Sequence, residues 1–464
     1  MKRSIRLLCF LYVLCCTVFV VAQPYAIQHL GVENGLSNNF VLSMAQDKRG
    51  CIWVATEVGL NRFDGNGFTV YKQHNSEIAG DALNTLLYDE KEDVLWMGGK
   101  FGGLCAWEGK SGCFRTYQAR NGMKLENIVH LAKANDGGIW ITPHHYDPIY
   151  FDSRSHRFTS LSDMGIQLDC RSNLCAFADG DLLYVGHYRG GMSIIDLKKK
   201  TTRRMLHDPS VPQSLPGHSV YSLYKDRLGH LWVGTEWGLG LLDSSTGRFT
   251  VFRHVPGRIS SLVADRVYDI CETADGKLWI ACDVGGISIL DLSQITFKHP
   301  EEVCFENLLS AVTGKGLSSS NIRKVLQDSY GNIWIGNYSC GLDFISHRPP
   351  VFQICGDRPV YGMYRGEEGQ LWVGGENELL LYKNDSLAKR FDICCDMLCS
   401  YGWVAAIIDD GQGFLLLGLS DNGILRTELR TGKTERVPMG IRDVRVMTFF
   451  RDTDEKIWIG TVLG

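Results

Sequence analysis

Asp47-Lys-Arg-Gly-Cys-Ile-Trp-Val-Ala-Thr56, followed by Glu57-Val-Gly-Leu-Asn-Arg-Phe-Asp-Gly65, is the stretch that decides the fold. Asp caps its own turn through the side chain and Gly accepts positive φ, so Asp47 to Gly50 read as a hairpin turn. Before it, Val41-Leu-Ser-Met-Ala-Gln46 alternates with the two-residue period of a half-buried strand. After it comes a strand centred on Trp53, a glycine turn, a third strand at Gly59–Phe63 and a short outer strand at Gly67–Tyr71. Four short antiparallel strands in so few residues make one unit of a larger array.

The unit recurs. The same five-residue core, an aromatic residue between aliphatics with a small residue two places on, is centred on Trp53, Trp96, Trp140, Tyr184, Trp232, Trp279, Trp334, Trp372, Leu416 and Trp458. Successive anchors lie 38 to 55 residues apart, and eight of the eleven tryptophans occupy this one position. A four-stranded unit of ~45 residues is the period of a propeller blade. The expected fold is therefore all-β: a seven-bladed β-propeller of four-stranded antiparallel blades over 23–350, then an incomplete second propeller of about three blades over 351–464. Each anchor fills the gap between stacked sheets, and the small residue two positions on is expected to leave room for it. Burying one indole contributes about 2–3 kcal/mol.

The rest of the chain sets limits. Lys plus Arg total 48 against 52 Asp plus Glu, a net charge of −4, so the basic excess of a nucleic-acid binder is missing. Residues 1–22 order a basic head (Lys2, Arg3, Arg6), an apolar run from Leu7 to Val21, and Val20 and Ala22 before Gln23. That is the order of a secretory signal peptide cleaved after Ala22, which places the mature chain in the periplasm; the alternative is an uncleaved membrane anchor, for which the apolar run is a little short. No later stretch is apolar for long enough to span a bilayer. Thirteen cysteines follow the leader with no constant spacing. Clusters at Cys170/Cys175 and Cys394/Cys395/Cys399 lack a histidine at zinc spacing, and most cysteines read as small buried hydrophobes.

Asp-x-x-Gly-x-Ile-Trp-Ile-Gly-Thr followed by Gly-Leu-x-Arg-Phe-Asp-Gly resembles the two-component-regulator propeller repeat, best at Trp53–Gly65 and Trp232–Asp243. Val32-Glu-Asn-Gly-Leu-Ser37 resembles the usual lead-in to a first blade. The family implied is the periplasmic sensor region of hybrid two-component regulators of gut Bacteroidetes. In that family two seven-bladed propellers precede an immunoglobulin-like domain, a membrane helix, a histidine kinase, a receiver and an AraC-type DNA-binding domain. The resemblance implies sensing of glycan-derived oligosaccharides and control of polysaccharide-utilisation genes, with a second copy of the chain as a dimer partner. Because the sequence stops at Gly464 after the Trp458 strand, a truncated product without kinase or DNA-binding parts is expected.

Catalytic motifs are scarce. Gly98-Gly-Lys-Phe-Gly-Gly103 lacks P-loop spacing and coincides with a repeat turn. Asp409-Asp-Gly-Gln-Gly413 resembles part of a calcium loop but has no glutamate at the twelfth position, and it aligns with the other Asp-Gly turns. No cofactor, metal or catalytic residue is assigned. The turns after the anchor strands should converge on one mouth of a central channel, where ligands meet propellers. They carry Glu57, Lys100, His144 and His145, then His187, Tyr188 and Arg189, Glu236 and Trp237, Asp283, and Tyr338. Aromatic faces mixed with hydrogen-bonding groups suit a carbohydrate. Of these, His144, His145, Tyr188, Arg189, Glu236, Trp237, Asp283 and Tyr338 are the candidate ligand contacts, and Trp237 and Trp403 are the tryptophans outside the anchor position that invite suspicion. Two other readings stay open: an exported propeller enzyme, lyase-like, with His144 or His145 as base, and a passive protein-interaction scaffold.

Overall fold

A computed structural model describes residues 25–119, 123–294, 300–310, 316–347, 359–366, 369–383, 386–393, 402–421, 423–440 and 444–462. The leader lies outside them, as do Cys394, Cys395 and Cys399. The chain divides into two compact units, 1–349 and 350–464, and is built of four-stranded antiparallel sheets. Blade 1 comprises Val41–Gln46, Ile52–Thr56, Gly59–Phe63 and Phe68–Tyr71 in that order. Blades 2 to 6 repeat this order over 83–117, 128–160, 173–205, 220–252 and 267–308.

Blade 7 departs from the expectation that each unit supplies its own outer strand. Its inner three strands are Ile322–Gln327, Ile333–Asn337 and Leu342–Ile345, but the fourth is Ile27–Leu30 from the start of the chain. Ile27 pairs with Ile345 and Leu30 with Leu342. His29 Nδ1 meets the buried Asp343 carboxylate at 2.6 Å. The inner strands of successive blades pack side by side, and that of blade 7 packs on that of blade 1, so the ring is closed. Closure leaves no inner strand with an open flank.

The anchors work as the repeat implied. Trp53 and Trp232 are fully buried. Each ring lies in a cluster shared with the following blade: Trp53 with Leu83, Leu95 and Met97, Trp232 with Val267, Ile270 and Ile280, and Trp334 with Val41, Met44 and Ile52. The small residue two places on has a different role from the one expected. A Cβ on Gly336 would lie 2.6 Å from Val41 Cγ1, and one on Gly234 would lie 2.7 Å from Val267 Cγ1. These glycines make room for the first side chain of the next blade's inner strand, and Gly234 also for Ser222 of its own blade, not for their own blade's indole.

The turn aspartates divide by turn length. In the four-residue turns the carboxylate reaches the anchor. One Asp47 oxygen accepts the N–H groups of Arg49 and Cys51 at 2.9 and 3.0 Å, and the other accepts the Trp53 indole N–H at 2.9 Å. Asp226 does the same for His230 and Trp232, both at 2.8 Å, and Asp328 reaches Trp334 at 3.0 Å. In the shorter turn Asp136 instead accepts from Gly138 and from the Tyr150 hydroxyl at 2.6 Å.

The second unit holds sheets over 362–392 and 404–437 and the pair Val446–Arg451 and Ile457–Thr461. Trp372 is buried against Val404 and Ile407 of the following sheet. The Leu416 side chain carries no N–H, and Asp410 binds Arg426 instead, at 2.8 and 3.0 Å. The Asp409–Gly413 segment is thus a repeat turn, and among the described residues no three His, Cys, Asp or Glu side chains gather to hold a metal. Trp458 is bonded to Asp452 at 2.7 Å but is 61% exposed, with no further sheet among the described residues to cover it. The nine described cysteines are free thiols. Burial pushes Cys175 and Cys282 up to about 12, whereas Cys113 and Cys304 are exposed rather than buried.

Candidate functional site

The turns after the anchor strands and the segments leading into the inner strands lie together on one face of the first unit. A belt of backbone hydrogen bonds ties them: Asn127 N–H to Lys100 O, His144 N–H to Asn127 O, Asn173 N–H to His144 O, Asp283 N–H to Arg266 O, Tyr338 N–H to Asn321 O, and Gly341 N–H to Asn39 O, all 2.9–3.0 Å. The belt gives the mouth of the ring a fixed outline, so side chains there are held by rigid neighbours.

Inside the belt each inner strand carries a bulge at its second residue: the register shifts at 41/43, 83/85, 128/130, 173/175, 220/222, 267/269 and 322/324. A bulge re-aims one side chain. In blades 5, 6 and 7 the bulged residues are Tyr221, Tyr268 and Arg323. Tyr221 and Tyr268 rings lie 4.8 Å apart, and the Arg323 guanidinium lies 3.7 Å from Tyr268 and 4.3 Å from Tyr338. Tyr338 in turn meets Phe40, ahead of blade 1, at 3.9 Å. The result is an unbroken row, Tyr221–Tyr268–Arg323–Tyr338–Phe40, across four blades. None of the five is fully buried. Burial, with Tyr268 and Glu236 nearby, pushes the Tyr221 phenol above its usual range, so it stays a neutral donor.

The residues expected from the sequence fall into separate places. Tyr338 belongs to the row. Asp283 flanks it, paired with Arg266 at 2.8 Å, and this contact raises the arginine further above its usual range. Glu236 is engaged as a cap, accepting the N–H groups of His218 and Ser219 at 2.9 and 2.5 Å. Trp237 is 44% exposed and packs edge-on against His207 and His218 at 5.3 and 5.1 Å. Tyr188 and Arg189 form their own pair on blade 4, at 5.5 Å. On blade 3 the His144 and His145 rings are 4.2 Å apart, with His144 Nδ1 bound to the Asn173 carbonyl at 2.7 Å. His187 is internal: its Nε2 meets Ser193 Oγ at 2.8 Å, and burial, with Arg204 nearby, pushes the imidazole down to about 4. Trp403, in the second unit, stacks on Tyr361 at 5.1 Å and is 41% exposed.

Only Tyr338 of the row lies in an anchor turn; Tyr221, Tyr268 and Arg323 lie within inner strands and Phe40 just ahead of one. The row's signal is one aligned column, the second residue of each inner strand: Leu42, Asn84, Val129, Leu174, Tyr221, Tyr268 and Arg323. Three aliphatic residues and an asparagine give way there to two tyrosines and an arginine.

Comparison with known proteins follows the same four blades. The two-component regulator propeller family matches residues 35–58, 214–237, 261–283 and 316–339, which belong to blades 1, 5, 6 and 7. A stretch of 41 residues, 9% of this chain and 3% of the relative, is 46% identical to histidine kinase P4 of Formosa agariphila. The extracellular domain of a B. thetaiotaomicron hybrid two-component system is 31% identical, with a TM-score of 0.61, over 94% of this chain. The chain spans 58% of that domain's length. A catalytically inactive virginiamycin B lyase from Staphylococcus aureus, 14% identical with a TM-score of 0.52 over 69% of this chain and 99% of that one, shares the fold alone. Among the described residues no helix is long and apolar enough to cross a membrane. The chain thus carries two-component regulator propeller repeats and is similar, over nearly its whole length, to the extracellular domain of a hybrid two-component system.

Proposed function

We propose that this chain is the ligand-binding part of an exported, periplasmic sensor of a hybrid two-component system, and that it recognises a glycan-derived oligosaccharide to control polysaccharide-utilisation genes. The observation that carries the reading is the row Tyr221–Tyr268–Arg323–Tyr338–Phe40, which sets part-exposed rings beside hydrogen-bonding groups on a belted rim. A sugar lays its C–H face on a ring and satisfies its hydroxyls with polar groups at the edge. Stacking platforms of this kind bind without doing chemistry, and the rim histidine His144 is tied to a backbone carbonyl. Passage of the signal would use contacts beyond this chain, a dimer partner among them. The test is calorimetric titration of the chain with a panel of plant and host oligosaccharides. Saturable binding is expected, weakened at least ~10-fold by Tyr268→Ala, since one stacked ring is worth about 1.5 kcal/mol. A panel that yields no binding, or binding that survives Tyr268→Ala and Tyr338→Ala together, ends the reading.

A further inference from the structure

Resting on that reading, we infer that the ligand is an anionic sugar, and that Arg323 receives its oxyanion, a uronate carboxylate or a sulfate ester. The guanidinium carbon lies over two rings, 3.7 Å from the Tyr268 centroid and 4.3 Å from the Tyr338 centroid. An aromatic ring offers a guanidinium no strong acceptor, so these contacts leave its N–H donors without a hydrogen-bond partner. Its Nε is buried without a hydrogen-bond partner, and no carboxylate pairs with Arg323 among the described residues. The neighbouring cations are already matched. Arg266 is paired with Asp283 at 2.8 Å, and Lys324 with Asp269 at 2.7 Å. Asp269 is further committed to the Val325 N–H at 3.0 Å. Among the described residues Arg323 is therefore an unmatched positive charge at this part of the mouth, partly withdrawn from water and flanked by two rings.

A part-buried charge without a partner is costly, and an anion arriving in the guanidinium plane relieves that cost. A carboxylate matches the fork with two parallel N–H···O bonds, roughly twice as strong as neutral ones. The flanking rings supply the faces on which the sugar attached to that anion would lie. The two observations belong to one recognition mode: stacking for the ring, a fork for its charge.

The experiment titrates the full chain with matched pairs. A tetragalacturonate and a hyaluronan tetrasaccharide are each set against their carboxyl-reduced twins, and a sulfated chondroitin disaccharide is set against its desulfated form. Expected is at least ~10-fold tighter binding of the member that carries the tested oxyanion than of the twin that lacks it. The preference falls below about threefold in Arg323→Gln, and the anionic ligand's affinity drops between about 50 and about 500 mM NaCl. The pair that shows the preference identifies carboxylate or sulfate as the source. Arg323→Lys, which keeps the charge and loses the fork, should retain an intermediate preference; it decides the matter if Arg323→Gln melts early. Equal binding of the twins, or a preference that persists in Arg323→Gln, overturns the inference and leaves the carbohydrate reading standing. Absence of binding by every pair overturns the inference, while the carbohydrate reading falls only if the wider oligosaccharide panel also fails to bind.

Discussion

The clasp between turn aspartate and anchor indole gives a quantitative prediction at Asp226. Asp226→Ala removes the acceptor of the Trp232 indole N–H and of the His230 backbone N–H, both at 2.8 Å. Trp232 is fully buried, so its N–H is left without a partner and away from water, at a cost of about 1–3 kcal/mol. The turn contact adds about 1 kcal/mol, because His230 is only half-buried and water replaces part of it. The expected loss is about 3 kcal/mol, a fall in melting temperature of about 5 °C for a unit of this size. The matched control is Asp275→Ala in a shorter turn, whose side chain is 59% exposed and bonds Thr273 rather than an indole. It should cost below about 1 kcal/mol. Thermal melts and urea midpoints compare the two, and hydrogen exchange locates the damage. Faster exchange is expected in 220–235 and in the facing blade 6 strands, with 83–117 unchanged. Equal shifts for the two variants would refute the idea that the indole bond, rather than the turn alone, is what the carboxylate supports.

Two further outcomes follow from packing and burial. Gly336→Val forces a branched side chain onto Val41 where a single Cβ already approaches to 2.6 Å, so it should cost about 1–3 kcal/mol by urea unfolding and loosen the blade 7–blade 1 seam in hydrogen exchange. His187, pushed down to about 4 by burial, binds fewer protons folded than unfolded between pH 4 and about 6.5. Its contribution is therefore present above about pH 6.5 and is lost as the pH falls, by about 2 kcal/mol between pH 7 and pH 5; His187→Gln should flatten that part of the urea-midpoint profile, and an unchanged slope would count against the assignment.

The blades were legible because one bulky ring must recur wherever one sheet stacks on the next. The hairpins were legible because Asp-to-Gly turns have side-chain chemistry of their own. Four features escaped for physical reasons. The strand Ile27–Leu30 has four residues and no anchor, and its partner lies 318 positions away, so nothing local marks it. The purpose of Gly234 and Gly336 is set by a neighbour in another blade. Glu236 reads as a free rim carboxylate in sequence, yet two backbone N–H groups consume it. The tyrosine and arginine bulges look like ordinary strand residues until the register shift turns them onto the rim.

The borrowed outer strand of blade 7 also constrains how the chain comes to be folded. Ile27 comes first along the chain, while its partner Ile345 follows 318 residues later. An exported chain is threaded across the membrane unfolded and in order, so Ile27 waits on the far side until the last blade has crossed. Until then the first six blades can form, yet the Ile27 side chain and the Val41 flank of blade 1 stay uncovered. Newly exported chains should therefore depend on a holding factor until the last blade emerges, and brief heat stress during export should harm them far more than finished ones.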